Sequence, residues 1–149
     1  MKVIFKRLAH LAEPEVLIQA AKESPEIQEL MTHIQHLGKP SHIIAKKEEH
    51  IYQLNLQDIL RFVIENRQVL AKTATDSYRV SLRLYQIREG LDERFLQISQ
   101  SEIVQLEAID HLRLLPNGLI ELTLKNGDTT FSSRRYLKDI KAALNFHKQ

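Results

Sequence analysis

The sequence predicts a mainly β domain with some helix, closed by a C-terminal helix and preceded by a strand and helical N-terminal extension. Three observations predict it. From His42 onward the chain is a succession of short runs rich in Val, Ile, Leu, Phe and Tyr, residue types that fit a pleated, half-buried surface. Two Asn-Gly pairs, Asn117-Gly118 and Asn126-Gly127, separate such runs near the C-terminus and mark hairpins, because Asn-Gly tolerates the positive φ that tight turns demand. Apolar residues at helical spacing are confined to a few windows, two of them before residue 42.

The elements follow in order. Lys2 to Leu8, with Val3, Ile4 and Phe5, reads as a short strand. Glu13-Pro14-Glu15 opens an acidic first turn, with Val16, Leu17, Ala20 and Ala21 on one helical face. Ser24-Pro25-Glu26 restarts a helix with an N-cap serine and a first-turn proline. Its apolar stripe is Ile27, Leu30, Met31, Ile34 and Leu37. Gly38 ends it, and Lys39-Pro40 prevents continuation. Residues 1 to 41 are therefore an extension to a domain spanning 42 to 149.

Strands are predicted over His42 to Lys46, His50 to Leu54, Ile59 to Glu65, Val69 to Thr75 and Tyr78 to Leu82. Leu84, Ile87, Arg88 and Leu91 have helical spacing. Strands resume at Phe95 to Ile98 and Ile103 to Leu106, then form a meander over Leu112 to Leu115, Leu119 to Leu124 and Thr129 to Phe131. Ser132 or Ser133 caps a last helix from Arg134 to Asn145, with Tyr136, Leu137, Ile140, Ala143 and Leu144 facing inward.

Composition excludes several function classes. There is no cysteine among the 149 residues, which removes disulfides, thiolate catalysis and cysteine-ligated zinc and suits a reducing compartment. No apolar run approaches the ~18 residues of a membrane span, and the charged N-terminus lacks a signal peptide's apolar stretch, so a cytoplasmic location is expected. His33 and His36 have i, i+3 spacing on the second helix, but no third ligand stands at metal-site spacing and exposed polar positions explain them. Glu48-Glu49 and Asp92-Glu93 fall at turn-like positions where solvation suffices. No Gly-rich phosphate loop, nucleophile elbow or His-Glu-x-x-His is present. Neither an enzyme nor a cofactor is expected.

The formal net charge is +2, but it is uneven. Residues 125 to 149 sum to +4 and the first 124 to −2. A solvated helix face is the commoner origin of such a run, so charge alone shifts the balance only slightly toward an anionic partner.

A composite of motifs decides further. Phe95-Leu96-Gln97-Ile98-Ser99-Gln100-Ser101-Glu102-Ile103-Val104-Gln105 is followed by the two Asn-Gly hairpins and Ser132-Ser133-Arg134-Arg135-Tyr136. This resembles the LytTR family of bacterial DNA-binding domains, whose usual pattern is Phe, a polar strand ending in His/Ser-Arg/Lys/Asn-Ser, then Ile/Val-Val-Asn, and later Ser-Arg-Arg-Tyr. Ile59 to Glu65 looks like that family's early strand, and the resemblance covers roughly residues 43 to 146. The Glu13-Pro14-Glu15-Val16 and Ser24-Pro25-Glu26-Ile27 segments look like those of stand-alone members without a receiver domain. Two departures stand out. Gln100 replaces a basic residue or Asn, and Gln105 replaces Asn after Ile-Val. The first keeps amide hydrogen bonding but loses an Arg-like bidentate contact.

The resemblance implies an elongated β-rich domain whose loops, rather than a recognition helix, enter successive major grooves. Carried over by position, the contact loops are Asn66-Arg67-Gln68, Ser99-Gln100-Ser101 and Ser133-Arg134-Arg135-Tyr136. Arg135 is the foremost candidate for base readout, since a guanidinium offers two donors to guanine O6 and N7. Gln100 and either Arg67 or Gln68 come next. Ser99, Ser101, Lys125, Ser133, Tyr136 and Lys138 read as phosphate contacts, and Arg134 joins the set as a cation in the first turn of the last helix.

The function expected is a sequence-specific transcriptional regulator that binds double-stranded promoter DNA, as a homodimer on repeated half-sites. Its control is open to protein level, a membrane-protein partner or a bound ligand. The alternative is a protein-interaction module that uses the N-terminal amphipathic helices without specific DNA readout, supported by the Gln100 and Gln105 departures. The stripe from Ile27 to Leu37 serves either reading, as a core face or a dimer seam.

Overall fold

A computed structural model of the chain describes residues 1–35, 37–38 and 40–144. The chain divides into two units, Met1–Gly38 and Lys39–Gln149.

In the first unit a helix, α1, spans Pro25–Gln35. Ser24 caps it as expected: its Oγ accepts from the Ile27 N–H at 3.3 Å, and its carbonyl accepts from Gln28 at 3.0 Å. Gly38 takes the left-handed conformation that follows a helix end, at φ +81°. No residue of α1 is fully buried. Two expectations fail. Residues 2–8 are not a strand, because a strand needs a neighbour for its backbone groups, and Val3 and Phe5 stand 90% exposed. Residues 14–21 are not helical. That run is too short to offset helix nucleation without packing, and Val16 and Leu17 are exposed.

The second unit holds the β framework. Strands β1 (His42–Lys47), β2 (His50–Asn55), β3 (Arg61–Glu65), β4 (Gln68–Lys72) and β5 (Ser77–Val80) precede helix α2 (Leu84–Gly90). Then come β6 (Phe95–Ser99), β7 (Glu102–Gln105), β8 (Ile109–Leu114), β9 (Ile120–Leu124), β10 (Thr129–Phe131) and, after a 3-10 turn at Arg134–Tyr136, helix α3 (Leu137–Leu144). A seven-stranded antiparallel sheet has the order β2-β1-β5-β4-β3-β7-β6, and a three-stranded sheet the order β10-β9-β8.

Two apolar clusters hold it together. Phe62, Ala71, Phe95 and Ile103 on one face of the large sheet pack with Leu84 and Ile87 of α2. Ile98 and Val104 on the other face pack with Ile120, Leu122 and Ile140 of β9 and α3. β7 is thus covered on both faces and all four of its residues are buried, which is why Ile103-Val104 is continuous rather than alternating. Its two polar ends are satisfied. Glu102 accepts from Arg61 at 3.2 Å and from Thr130 Oγ1 at 2.7 Å, and Gln105 Nε2 donates to the carbonyls of Leu56 and Gln57, both at 3.2 Å.

Both Asn-Gly hairpins form, but glycine alone is at positive φ, +88° at Gly118 and +93° at Gly127. Each is a three-residue loop: Gly118 N–H donates to Leu115, and Gly127 N–H to Leu124, both at 2.9 Å. The Asn side chains instead accept from the backbone two residues on, at Leu119 and Asp128. The last helix also differs from expectation. Arg134–Tyr136 is 3-10, neither serine caps it through its side chain, and Ala143 is exposed. Ser132 is 3% exposed, and its Oγ accepts from Ile120 N–H at 3.0 Å, so it braces β9 instead. Asn145 lies outside the described residues, as does His36 of the histidine pair.

Candidate nucleic-acid interface

The first expected loop is the two-residue turn between β3 and β4. Glu65 pairs with Gln68, leaving Asn66 and Arg67 as the central residues at φ +51° and +63°. Among the described residues this is the turn with two successive left-handed residues, the pattern that matches strand twist in a tight hairpin. Asn accepts that conformation readily, whereas Arg has no local compensation for it. Asn66, Arg67 and Gln68 are all exposed.

The second loop joins β6 to β7. Ser99 pairs with Glu102, and the register shifts between Gln97 and Ser99, so one extra residue lets Ile98 stay buried while Ser99 turns toward the surface. Ser101 N–H donates to Ser99 Oγ at 3.3 Å, and Gln97 Nε2 to the Ser99 carbonyl at 3.0 Å. The two serines are thus partly occupied in shaping the loop. Gln100 at its tip is exposed.

The third loop is Ser133 to Tyr136. Tyr136 N–H donates to the Ser133 carbonyl at 3.0 Å, closing the 3-10 turn. Its two arginines have different environments. Arg134 Nη2 donates to the Asn117 carbonyl at 2.8 Å, committing it to the β8–β9 turn. The Arg135 guanidinium lies 5.9 Å from the centre of the Tyr136 ring, a cation–π distance. Neither Arg67 nor Arg135 forms an ion pair among the described residues. Lys138 is exposed in the first turn of α3.

Backbone hydrogen bonds bring the three loops together. Ile64, two residues before Asn66, donates its N–H to the Ser101 carbonyl at 2.9 Å, and Ser133 donates its N–H to the Ile98 carbonyl at 2.8 Å. Loop one is therefore joined to loop two, and loop two to loop three. Lys125 is placed elsewhere. Its N–H donates to Ala108 at 2.8 Å, and nearby Asp128 pairs with Arg61 at 3.4 Å, at the opposite end of β3 from the Asn66-Arg67 turn. The ends of this five-residue strand are about 13 Å apart.

Gln105 also changes meaning. It is 8% exposed and spends its amide on the Leu56 and Gln57 carbonyls, so its departure from the family's Asn is a packing matter. Sequence reasoning missed Asn117 and Gln97, whose contacts orient the second and third loops. Nothing local to either residue signals this, because the contacts follow from strand register.

The β framework thus presents three tethered loops on which Arg67, Gln68, Gln100 and Arg135 are exposed. The model of the LytTr DNA-binding domain family matches residues 49–145. A Staphylococcus aureus strain NCTC 8325 protein named an uncharacterized HTH-type transcriptional regulator is 36% identical over 136 residues, covering 91% of this chain and 92% of its own. One of the same type from strain MSSA476 is 36% identical over 132 residues, covering 89% and 90%. A solved LytTr DNA-binding domain from Bacillus cereus shares the fold at TM-score 0.69 and 15% identity, covering 72% of this chain and 99% of that domain. The chain belongs to the LytTr DNA-binding domain family.

The helix-turn-helix type in the relatives' names does not describe this framework. β6 to β10 lie between α2 and α3, whereas that motif joins two successive helices by a short turn. Among the described residues no helix is long and apolar enough to cross a membrane.

Proposed function

We propose that this protein is a sequence-specific transcriptional regulator that reads promoter repeats by inserting loops into successive major grooves. The observation carrying this reading is the tethering of the three loops through Ile64–Ser101 and Ile98–Ser133, which lets them act as one surface. Arg135, Gln100 and Arg67 or Gln68 read base edges, with Arg135 offering two donors to guanine. Ser99, Ser101, Ser133, Tyr136 and Lys138 hold phosphates and set the register. Arg134 braces the third loop through Asn117 and contributes its charge. Lys125, at the far end of β3, acts only where the duplex extends that way.

Residues 42–149 carry the DNA-reading function and residues 1–41 the pairing of two copies on repeated half-sites. The apolar stripe of α1, with Met31 42% exposed, and Leu37 beyond the helix end, 65% exposed, support a homodimer seam. The activity needs neither cofactor nor catalysis, and a cytoplasmic site of action follows from it. The naming of the Staphylococcus aureus relatives as transcriptional regulators agrees with this reading.

The test is selection from a random duplex library followed by dimethyl sulfate footprinting of an enriched duplex. Protection of guanine N7 in patches about one helical turn apart is expected. Absence of any enriched sequence would contradict the proposal. Leu30→Asp is expected to abolish the second copy on the duplex while leaving the β framework folded.

A further inference from the structure

We propose that Lys46 on β1 and Arg79 on β5 form a clamp for a backbone phosphate of the bound duplex, outside the three loops; this rests on the DNA-reading function above. The two residues are direct partners across the β1–β5 pair, which places their Cβ atoms about 5 Å apart on one face of the sheet. Both are exposed. Neither makes an ion pair among the described residues. Like charges directly opposite each other destabilise a sheet, so this juxtaposition lacks a local reason.

The neighbouring cations show the contrast. Arg61 and Lys72 are likewise cross-strand partners, but Arg61 is held by Glu102 and Asp128 and Lys72 by Glu65 at 2.8 Å. Lys47, adjacent to Lys46 in sequence, is bonded to Asp76. Carboxylates thus neutralise these three, and among the described residues Lys46 and Arg79 are the opposed pair without them. A phosphate between the two would convert the repulsion into two charge-assisted contacts.

The position fits the same duplex. Arg79 is the register partner of Leu70, two residues along β4 from Gln68 in the first loop, or about 7 Å. A strand engaged by the Asn66-Arg67-Gln68 loop therefore passes within reach of the pair. The clamp carries no base information and adds affinity uniformly across sequences.

The test is the Lys46→Ala/Arg79→Ala double variant of the full chain, titrated between 50 and 200 mM salt against a library-selected duplex with long flanks. Loss of this one phosphate site is expected to flatten the slope of log affinity on log salt by about 0.9, making the loss over that range about 3.5-fold smaller than for the wild type. Preference over a scrambled duplex should persist, the melting temperature should hold or rise, and Arg79→Lys should keep the wild-type slope. An unchanged slope in the double variant, with the wild type still preferring its site, overturns the clamp and leaves the DNA-reading function standing. A wild type that prefers no selected duplex overturns both.

Discussion

The backbone N–H of Ser133 donates to the carbonyl of Ile98 at 2.8 Å. This bond fastens the start of the Arg134–Tyr136 turn to the bulged end of β6, where Ile98 is fully buried. A surface loop carrying two arginines is thereby joined, through the buried end of β6, to the Ser99-Gln100-Ser101 loop.

Arg134 and Arg135 should separate in function. Arg135→Ala is expected to lose ~1–3 kcal/mol of specific binding with little change in folding stability. Arg134→Ala removes the bond to the Asn117 carbonyl, so it should cost about 1 kcal/mol of stability and relax specificity less. Titrations of both variants against a selected and a scrambled duplex, beside urea unfolding, give the comparison. Equal loss of preference in the two would contradict the assignment.

Arg67 sits in a left-handed conformation that glycine adopts without penalty. Arg67→Gly should therefore raise folding stability by about 1 kcal/mol while weakening binding to DNA. Opposite movement of melting temperature and affinity is the expected signature, as for a residue kept for function at the expense of local strain. A gain in stability with unchanged affinity would remove Arg67 from the interface.

Glu102 pairs with Arg61 within the large sheet and reaches the small sheet through Thr130. Glu102→Ala leaves Arg61, whose side chain is 13% exposed, without its nearest anion, and Arg61 Nε is already without a hydrogen-bond partner among the described residues. Breaking a buried pair by removing one partner costs about 3 kcal/mol. Denaturant unfolding is the measurement, and a loss confined to a few tenths of a kcal/mol would mean that the pair is solvated.

Asp76 is held below its ordinary carboxylate range, first by the hydrogen bond from Lys47 and then by that from Thr75. Lys47 is held above its usual value, first by the same Asp76 bond. Asp76 therefore contributes stability that is present above pH ~4 and lost as pH falls through its depressed folded value, while Lys47 contributes below its ordinary value and loses this as pH rises through the raised one. Melting temperatures of wild type and Asp76→Asn should differ by a constant, small amount from pH 5 to 9 and converge in acid. A difference that grows toward low pH would contradict the pairing.

Much of the second unit was legible because its signals are local. Strand runs from His42 to Phe131 and the α2 spacing each depend on a few neighbouring residues, as does the Ser24 cap in the first unit. The expectations for residues 2–8 and 14–21 fail for the complementary reason: Val3, Ile4 and Phe5 have strand chemistry, but a strand needs a partner that sequence does not supply. The positions of the three turns are legible, since motif and turn coincide there. Their joining through Ile64 and Ile98 is not, because it depends on the order β4-β3-β7-β6 and on the bulge before Ser99. Lys125 was grouped with the loops by its charge, and register places it at the other end of β3.

The account rests most directly on preference, so fluorescence anisotropy of a labelled duplex from upstream of this protein's own gene, beside a scrambled duplex at two salt concentrations, is the measurement that tests it. Tighter binding to the upstream duplex that persists at the higher salt is the predicted result. Weak binding to both, equal in strength and falling together with salt, would contradict sequence-specific reading.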